Sequence, residues 1–400
     1  MIKILYVVST LRRTGPGNQL SYIVKHLDRS RFEPHILTLS SEPPDSKWKD
    51  FETLGIPLHS LNLSRIGGLL FAKKRVRRHI RDIQPDIVQT HGIRADGILA
   101  SLSMSMNIPW MLTIRNYPYE DNVMLHGRLA GTLAAAYHVR SMKKCRHVVA
   151  CGKTVAQRLQ PLGIDAFPIQ NGVEFAMPPQ TATDPPNATT YSALDGKHAK
   201  PVFLSSGRTL EKRKNNAFTI RAFNRYKAEG GAGSLILLGD GSEGPMFRAL
   251  AAEGGTVGTP TNGSGSDVHF PGQVTNVSDY YRISDYFISA ALSEGLPNSV
   301  LEALFWGLPV LLSDIPSHTE IARENPSVCK TFPLDENVDV LADLMKNAKT
   351  LFPENTGRIA REFIRERFSA SAMSLKYQNY SLKNVAAGFP RASHLSQPNV

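Results

Sequence analysis

The chain is 400 residues long, 42% hydrophobic and 20% charged, a globular composition with room for about two domains, not a disordered or fibrous one. Three cysteines, Cys145, Cys151 and Cys329, are too few for a disulfide framework and lack metal-site spacing, so a reducing compartment is the simpler expectation. The formal charge of +11 lies in the first half: residues 1–200 hold 26 Lys/Arg against 15 Asp/Glu, while residues 201–400 hold 20 of each. Two domains with different surfaces follow from that asymmetry.

The opening MIKILYVV is too short for the apolar region of a signal peptide, and no stretch reaches the roughly 18 apolar residues of a membrane span. Strand-like runs are read at Ile2–Val8, His35–Leu39, Leu58–Leu63, Asp86–Thr90, Trp110–Ile114, His147–Ala150 and Ala166–Ile169. Amphipathic segments at 17–28, 68–83, 93–106 and 122–142 separate them. The second half repeats the alternation with Val202–Ser206, Leu235–Gly239, Val268–Phe270, Tyr286–Ala290, Pro309–Leu312 and Val328–Thr331. Alternating strands and helices predict an α/β fold of parallel sheets covered on both faces, whose strands read as continuous apolar runs. The proline- and threonine-rich stretch 176–200 breaks the pattern, as does the Gly/Ser/Thr-rich loop 253–267. The predicted layout is a first domain 1–178, a linker 179–200, a second domain 201–385 whose last helix has the option of packing back on the first, and a tail 386–400. Ligands of doubly wound domains bind at the carboxyl ends of the strands.

Three places carry candidate chemistry. SEGLPNSVLEALFWGLPVLLSD (293–314) turns from a strand into a helix near Asn298, and the first turn of such a helix attracts anions. Glu294 lies just ahead of that helix and Glu302 inside it; a carboxylate there suits sugar hydroxyls better than phosphate. Read alone, Glu294 is also explained as a first-turn dipole partner and Glu302 as part of a solvated face. In SSGRTLEKRKNNAF (205–218), Arg208, Lys212, Arg213 and Lys214 crowd a loop between strand and helix. Arg plus Lys at a strand end suits a diphosphate, although a solvated basic loop accounts for the same run. Finally, Gly15 and Gly17 straddle the first strand–helix turn, but Leu20 stands where a dinucleotide fingerprint needs glycine, and no P-loop is present.

Together these pieces resemble the retaining glycosyltransferases of family 4, over nearly the whole chain. DIVQTHG (86–92), VVACGKTVAQRL (148–159), PIQNGVE (168–174), SGR with a following KN, LILLGDGSE (235–243) and VHFPGQV (268–274) look like the family's recurring segments. Glu294 and Glu302, with seven residues between them, match its carboxylate motif. The resemblance implies the GT-B architecture, two facing Rossmann-like domains with a cleft between them. It implies transfer of a hexose-type sugar from a UDP- or GDP-sugar to a hydroxyl with retained configuration, with no cofactor and no required metal. By the same resemblance Arg208 and Lys214 hold the diphosphate, with Lys212 and Arg213 as competitors for the second place. Glu302 takes the ribose hydroxyls and Glu294 the transferred sugar. Backbone groups of Leu296, Asn298 and Ser299 line the sugar and phosphate site, Gln273 and Val274 approach the base, and Gly15 and Gly17 approach the diphosphate. Many members place a histidine after the fifth strand where this chain has Arg115 followed by Asn116; either Arg115 contacts sugar or phosphate, or His126 supplies the role. His91 is assigned to the acceptor side, with a structural histidine as the alternative.

The basic half points to a partner. In FAKKRVRRHIRDI (71–83), Val76, Ile80 and Ile83 are read as inward and Lys73, Lys74, Arg77, Arg78 and Arg81 as outward, and Arg140, Lys143, Lys144 and Arg146 form a second group. Such a face suits anionic lipid headgroups, consistent with a glycan or lipid-linked glycan acceptor at the inner face of the cytoplasmic membrane; a solubilising face is the alternative. No recognition motif supports nucleic acid. Capsule, lipopolysaccharide or other cell-surface polysaccharide synthesis is the expected setting, in the cytoplasm. A nucleotide-sugar 2-epimerase and a nonenzymatic glycan- or lipid-binding relative are the other functions consistent with the sequence.

Overall fold

The computed structural model describes residues 1–106, 108–174, 198–207, 212–241, 243–254, 267–335 and 337–386. The chain forms two units: Met1–Gly172 together with the returning segment Phe368–Val400, and Val173–Arg367. The expected linker 179–200, the loop 253–267 and the tail 386–400 fall largely outside the described residues, as does Arg208 entirely.

In the first unit seven strands, β1 (Ile2–Val8), β2 (Phe32–Thr38), β3 (Leu58–Ser60), β4 (Ile87–His91), β5 (Trp110–Ile114), β6 (His147–Ala150) and β7 (Ala166–Pro168), pair in the order β3-β2-β1-β4-β5-β6-β7. Every neighbouring pair is parallel. The sheet order reverses between β1 and β4, where Val8 stands opposite His91, and this is the place where doubly wound sheets bind ligands. β4 and β5 are buried along their whole length, as strands covered on both faces must be. β3 is shorter than its apolar run suggests, because Asn62 takes a left-handed conformation (φ 47°) and turns the chain away.

The second unit holds β8 (Val202–Ser206), β9 (Ser234–Leu238), β10 (Val268–Gly272), β11 (Tyr286–Ser289), β12 (Val310–Ser313) and β13 (Cys329–Phe332) in the order β10-β9-β8-β11-β12-β13, again parallel throughout. Its reversal lies between β8 and β11. A core of Phe203, Phe218, Phe223, Leu235, Leu237, Ile288 and Leu311 packs under the helices; each such side chain contributes about 1.5–3 kcal/mol by leaving water. Both units are thus Rossmann-like.

Two local features depart from the periodicity. The segment 122–142, read as one helix, is two: Pro118–His126 and Arg128–Met142. Gly127 separates them at φ 78°, and a Cβ on Gly131 would lie 2.4 Å from the Asn122 carbonyl oxygen, so the second helix folds tightly over the first. The helix Ala370–Tyr380 packs on the helix Gly15–Lys25: Ser374 donates to the Ile23 carbonyl at 2.7 Å, and Gln378 donates to the His26 carbonyl at 3.0 Å. Met373 and Tyr377 complete a core with Tyr6, Leu20 and Ile23. Gln19 clamps the Gly172 backbone, donating to its carbonyl at 2.7 Å and accepting from its N–H at 3.1 Å. The three cysteines are buried thiols.

Candidate active site

At the carboxyl edge of the second sheet, the ends of β8 and β11 flank the reversal. Ser206 and Gly207 close β8, and a 3-10 turn, Lys212–Lys214, leads to the helix Asn216–Ala228. Asn215 joins turn and helix in the left-handed conformation (φ 50°, ψ 42°), which asparagine tolerates better than most residues. That geometry explains the Lys-Asn pair: the asparagine turns the chain so that Lys214 points back over Gly207. A Cβ on Gly207 would meet Lys214 Cε at 2.8 Å, so glycine leaves the path open for the lysine stem.

Beyond β11 the chain runs through Ser293, Glu294 and the buried Leu296 into the helix Asn298–Phe305, with Pro297 as its N-cap. Lys214 Nζ donates to Glu294 Oε1 at 2.6 Å, with the two side chains 15% and 9% exposed. Lys212 is exposed, so of the two flanking lysines only Lys214 reaches Glu294. Burial pushes the Glu294 carboxyl up, but Lys214 and Arg213 pull harder and hold it below the usual carboxylate range. Glu294 is therefore ionised at neutral pH and acts only as a hydrogen-bond acceptor.

Glu302 lies one to two turns into the helix and is half-buried. Burial raises its pKa, opposed by a hydrogen bond from Tyr281 and by the charge of Lys214. The Tyr281 hydroxyl, fully buried, donates to Glu302 Oε2 at 3.1 Å, with the Ser299 carbonyl 3.4 Å away as a second acceptor and the Ser206 hydroxyl at 3.3 Å. One carboxylate oxygen is thereby fixed and the other is left for a ligand. His318 completes this floor. Its Nδ1 is 3.0 Å from the Ser313 carbonyl, which only accepts, so Nδ1 carries the proton and Nε2 accepts from Ser289 at 3.4 Å. Burial brings His318 down to about 4, against the raising effect of Glu294, and the ring is neutral. Neither Tyr281 nor His318 was among the residues singled out in the sequence. Gln273, exposed, and Val274, half-buried, follow β10.

In the first unit the corresponding edge gathers His91, Gln89, Thr113, Arg115 and Asn171. His91 ends β4 and pairs across the sheet with Val8 and Thr113. Gln89 Nε2 donates to His91 Nε2 at 3.1 Å, while His91 Nδ1 is buried without a partner. Burial, and then the charge of Arg115, depress its pKa well below the usual histidine value. Arg115 donates from Nη1 to Asn171 Oδ1 at 2.7 Å, and its Nε and Nη2 are buried with no acceptor. Asn116 is held apart, donating to Asp121 at 2.9 Å, and His126 is exposed at a helix end. Gly15 opens the helix after β1, and Gly17 is buried; a Cβ there would lie 2.3 Å from the Arg12 carbonyl oxygen.

Two family models match the chain: "Glycosyl transferase 4-like domain" over residues 14–171 and "Glycosyl transferases group 1" over residues 200–348. The O-antigen biosynthesis glycosyltransferase WclY of Escherichia coli is 33% identical over 385 residues, covering 94% of this chain and 97% of that protein; a second match of the same name is 23% identical over the same length. The chain belongs to the group 1 glycosyltransferases. The putative glycosyltransferase EpsF of Bacillus subtilis is a further relative, 24% identical, with 96% of each chain covered. Among solved structures, sucrose-phosphate synthase of Thermosynechococcus elongatus superposes with a TM-score of 0.78 at 14% identity, covering 96% of this chain and 100% of that one. Anabaena Alr3699/HepE in complex with UDP-glucose superposes with a TM-score of 0.71 at 15% identity, covering 95% and 99%. The fold of this glycosyltransferase is GT-B.

Proposed function

We propose that this glycosyltransferase is a retaining enzyme that moves a hexose-type sugar from a nucleoside diphosphate sugar to a hydroxyl of a glycan or lipid-linked glycan in cell-surface polysaccharide synthesis. The observation that carries the reading is the pairing of Lys214 with Glu294 beside the Tyr281-oriented Glu302, at the reversal point of the second sheet. The O-antigen setting in the name of WclY and the UDP-glucose complex of HepE agree with such a setting and donor.

In this reading Glu302 accepts hydroxyls of the ribose through its unoccupied oxygen, with Tyr281 setting the rotamer. Glu294, held ionised, accepts hydroxyls of the transferred sugar. Lys214, already at that carboxylate, and Arg208 meet the diphosphate and offset charge as the leaving group departs, a role that fixed cations fill without a divalent ion. Backbone groups at Leu296, Asn298 and Ser299 line the sugar and phosphate, Gln273 and Val274 meet the base, and Gly15 and Gly17 approach the diphosphate. His91, Arg115 and Asn116 belong to the acceptor side. Contact with an anionic membrane through the helix face of 71–83, whose Lys73, Lys74, Arg78 and Arg81 are exposed over a buried Val76 and Ile80, brings the enzyme to its acceptor at the inner leaflet.

Thermal shift against UDP, GDP and their sugar conjugates tests the donor site. A rise in melting temperature for one nucleotide class, lost in Glu302→Ala, supports it by mass action. A folded protein that responds to no nucleotide refutes it.

A further inference from the structure

The helical hairpin 118–142 carries a row of apolar side chains that none of the described residues of the first unit covers. Leu129 is 79% exposed, Leu133 65%, Leu125 58% and Tyr137 52%. Leu129, Leu133 and Tyr137 recur every fourth residue, so these three share one face of the helix Arg128–Met142, and Leu125 is exposed in the last turn of the preceding helix, just before Gly127. The inward face of that helix is occupied by Gly131, Ala135, His138 and Met142, so the leucines do not contribute to its core. A monomer in water gains nothing from displaying them together.

The charge around the row identifies its occupant. From Gly127 to His147 the chain has five Lys/Arg and no Asp/Glu, and Arg128, Arg140, Lys143, Lys144 and Arg146 are all exposed. The basic helix Arg65–Ile83 belongs to the same side of the sheet: it packs on the helix Ile93–Met106, which in turn packs on Arg128–Met142. Gly68 of the first lies against Arg94, and Gly97 against the Tyr137 hydroxyl, so the three helices adjoin closely. Leu70 and Phe71, 69% and 51% exposed, add apolar surface on that basic helix. A second copy docking symmetrically on this face would set its arginines and lysines against their own images. An anionic bilayer instead takes the leucines into its acyl boundary while its headgroups meet the cations.

We propose that the hairpin 118–142 is a membrane-inserting element, with Leu125, Leu129 and Leu133 entering the headgroup–acyl boundary of an anionic leaflet and the basic residues holding it there. The helix of 71–83 then supplies attraction, and the hairpin supplies insertion. This deepens the lipid-linked acceptor reading but does not depend on the donor site.

The test is sedimentation with vesicles of phosphatidylcholine alone and of phosphatidylcholine mixed with phosphatidylglycerol. Wild type is expected to bind the mixed vesicles only. The combined Leu129→Ser and Leu133→Ser variant, changed at exposed positions and checked for an unaltered melting temperature, is expected to bind at least about tenfold more weakly. Its residual binding should vanish at high salt. Leu129→Trp should show a blue-shifted emission when mixed vesicles are added. Glu302→Gln should bind vesicles as wild type does, which separates this proposal from the donor assignment. Three results overturn it: wild type that does not bind mixed vesicles, a serine variant that binds them equally well, or a wild-type dimer in solution that the serine variant dissociates, which would make a second copy the occupant.

Discussion

Replacing Lys214 by methionine keeps most of the side chain's volume and leaves Glu294 in its buried place without the cation that hydrogen-bonds to it, with the charge of Arg213 remaining. At 2.6 Å and an effective dielectric constant of about 20, the lost attraction is on the order of 6 kcal/mol before desolvation is subtracted. Breaking a buried pair costs roughly 3–5 kcal/mol after desolvation. A second limit applies, because the stranded carboxyl escapes by taking up a proton. From an ordinary value of 4.5, protonation near pH 7 costs about 3.4 kcal/mol, so the expected loss at neutral pH is about 3 kcal/mol. The pH dependence is the sharper signature. In wild type the Glu294 pKa lies below 4.5, so its stabilisation is complete above that value and disappears as pH falls through the folded pKa. In Lys214→Met the largest lowering contribution is gone and burial is opposed mainly by the charge of Arg213; the folded pKa is expected to rise above 4.5, and the variant then loses stability as pH rises until that new pKa is passed. The gap between the two proteins should therefore widen from acid to neutral by up to about 1.36 kcal/mol per pH unit. A chain of two units does not unfold in one step. Hydrogen exchange of peptides spanning 286–306 across a urea series isolates the local stability. Adding Glu294→Gln to Lys214→Met should recover part of the loss. A gap that stays constant from about pH 4.5 to neutrality would refute this account of the pair.

Glu302→Gln should weaken UDP or GDP binding by about tenfold, the loss of one charge-assisted hydrogen bond, while Tyr281→Phe weakens it by about threefold; calorimetric titration measures both. Arg115→Met removes a buried guanidinium with two unsatisfied nitrogens, so it should stabilise the first unit by about 1 kcal/mol while slowing sugar transfer. A lower melting temperature with unchanged turnover would contradict that. His318 falls from 6.5 in the unfolded chain to about 4 in the folded one, so its contribution is complete above 6.5 and is lost progressively as pH falls toward 4. Stability between about pH 6.5 and 4.5 should fall with acid in wild type, and His318→Asn should flatten that slope.

The candidate site residues legible in the sequence are those whose signal is contiguous. Glu294, Pro297, Asn298 and Glu302 occupy a single strand–turn–helix unit, so spacing alone places them at one helix start. Lys214 was distinguishable because Asn215 follows it, and the left-handed conformation of that asparagine aims the lysine. Both sheets were likewise readable, since parallel strands buried on two faces write themselves as unbroken apolar runs. Tyr281 and His318 were not readable. They come from the helices Val277–Ile283 and Pro316–Glu324, where a tyrosine beside another tyrosine and a histidine after Pro316 look like ordinary packing residues. Only the neighbouring strands β8, β11 and β12 bring Ser206, Ser289 and Ser313 to them, and sheet order is not a local property. The hairpin 118–142 escaped for the opposite reason. Its apolar content fits a single amphipathic helix, and a period of 3.6 cannot register that Gly127 bends the chain and leaves its leucines facing out. Sequence periodicity reports which residues share a face. Whether that face is covered depends on what the fold lays over it, and on this hairpin the described residues lay nothing.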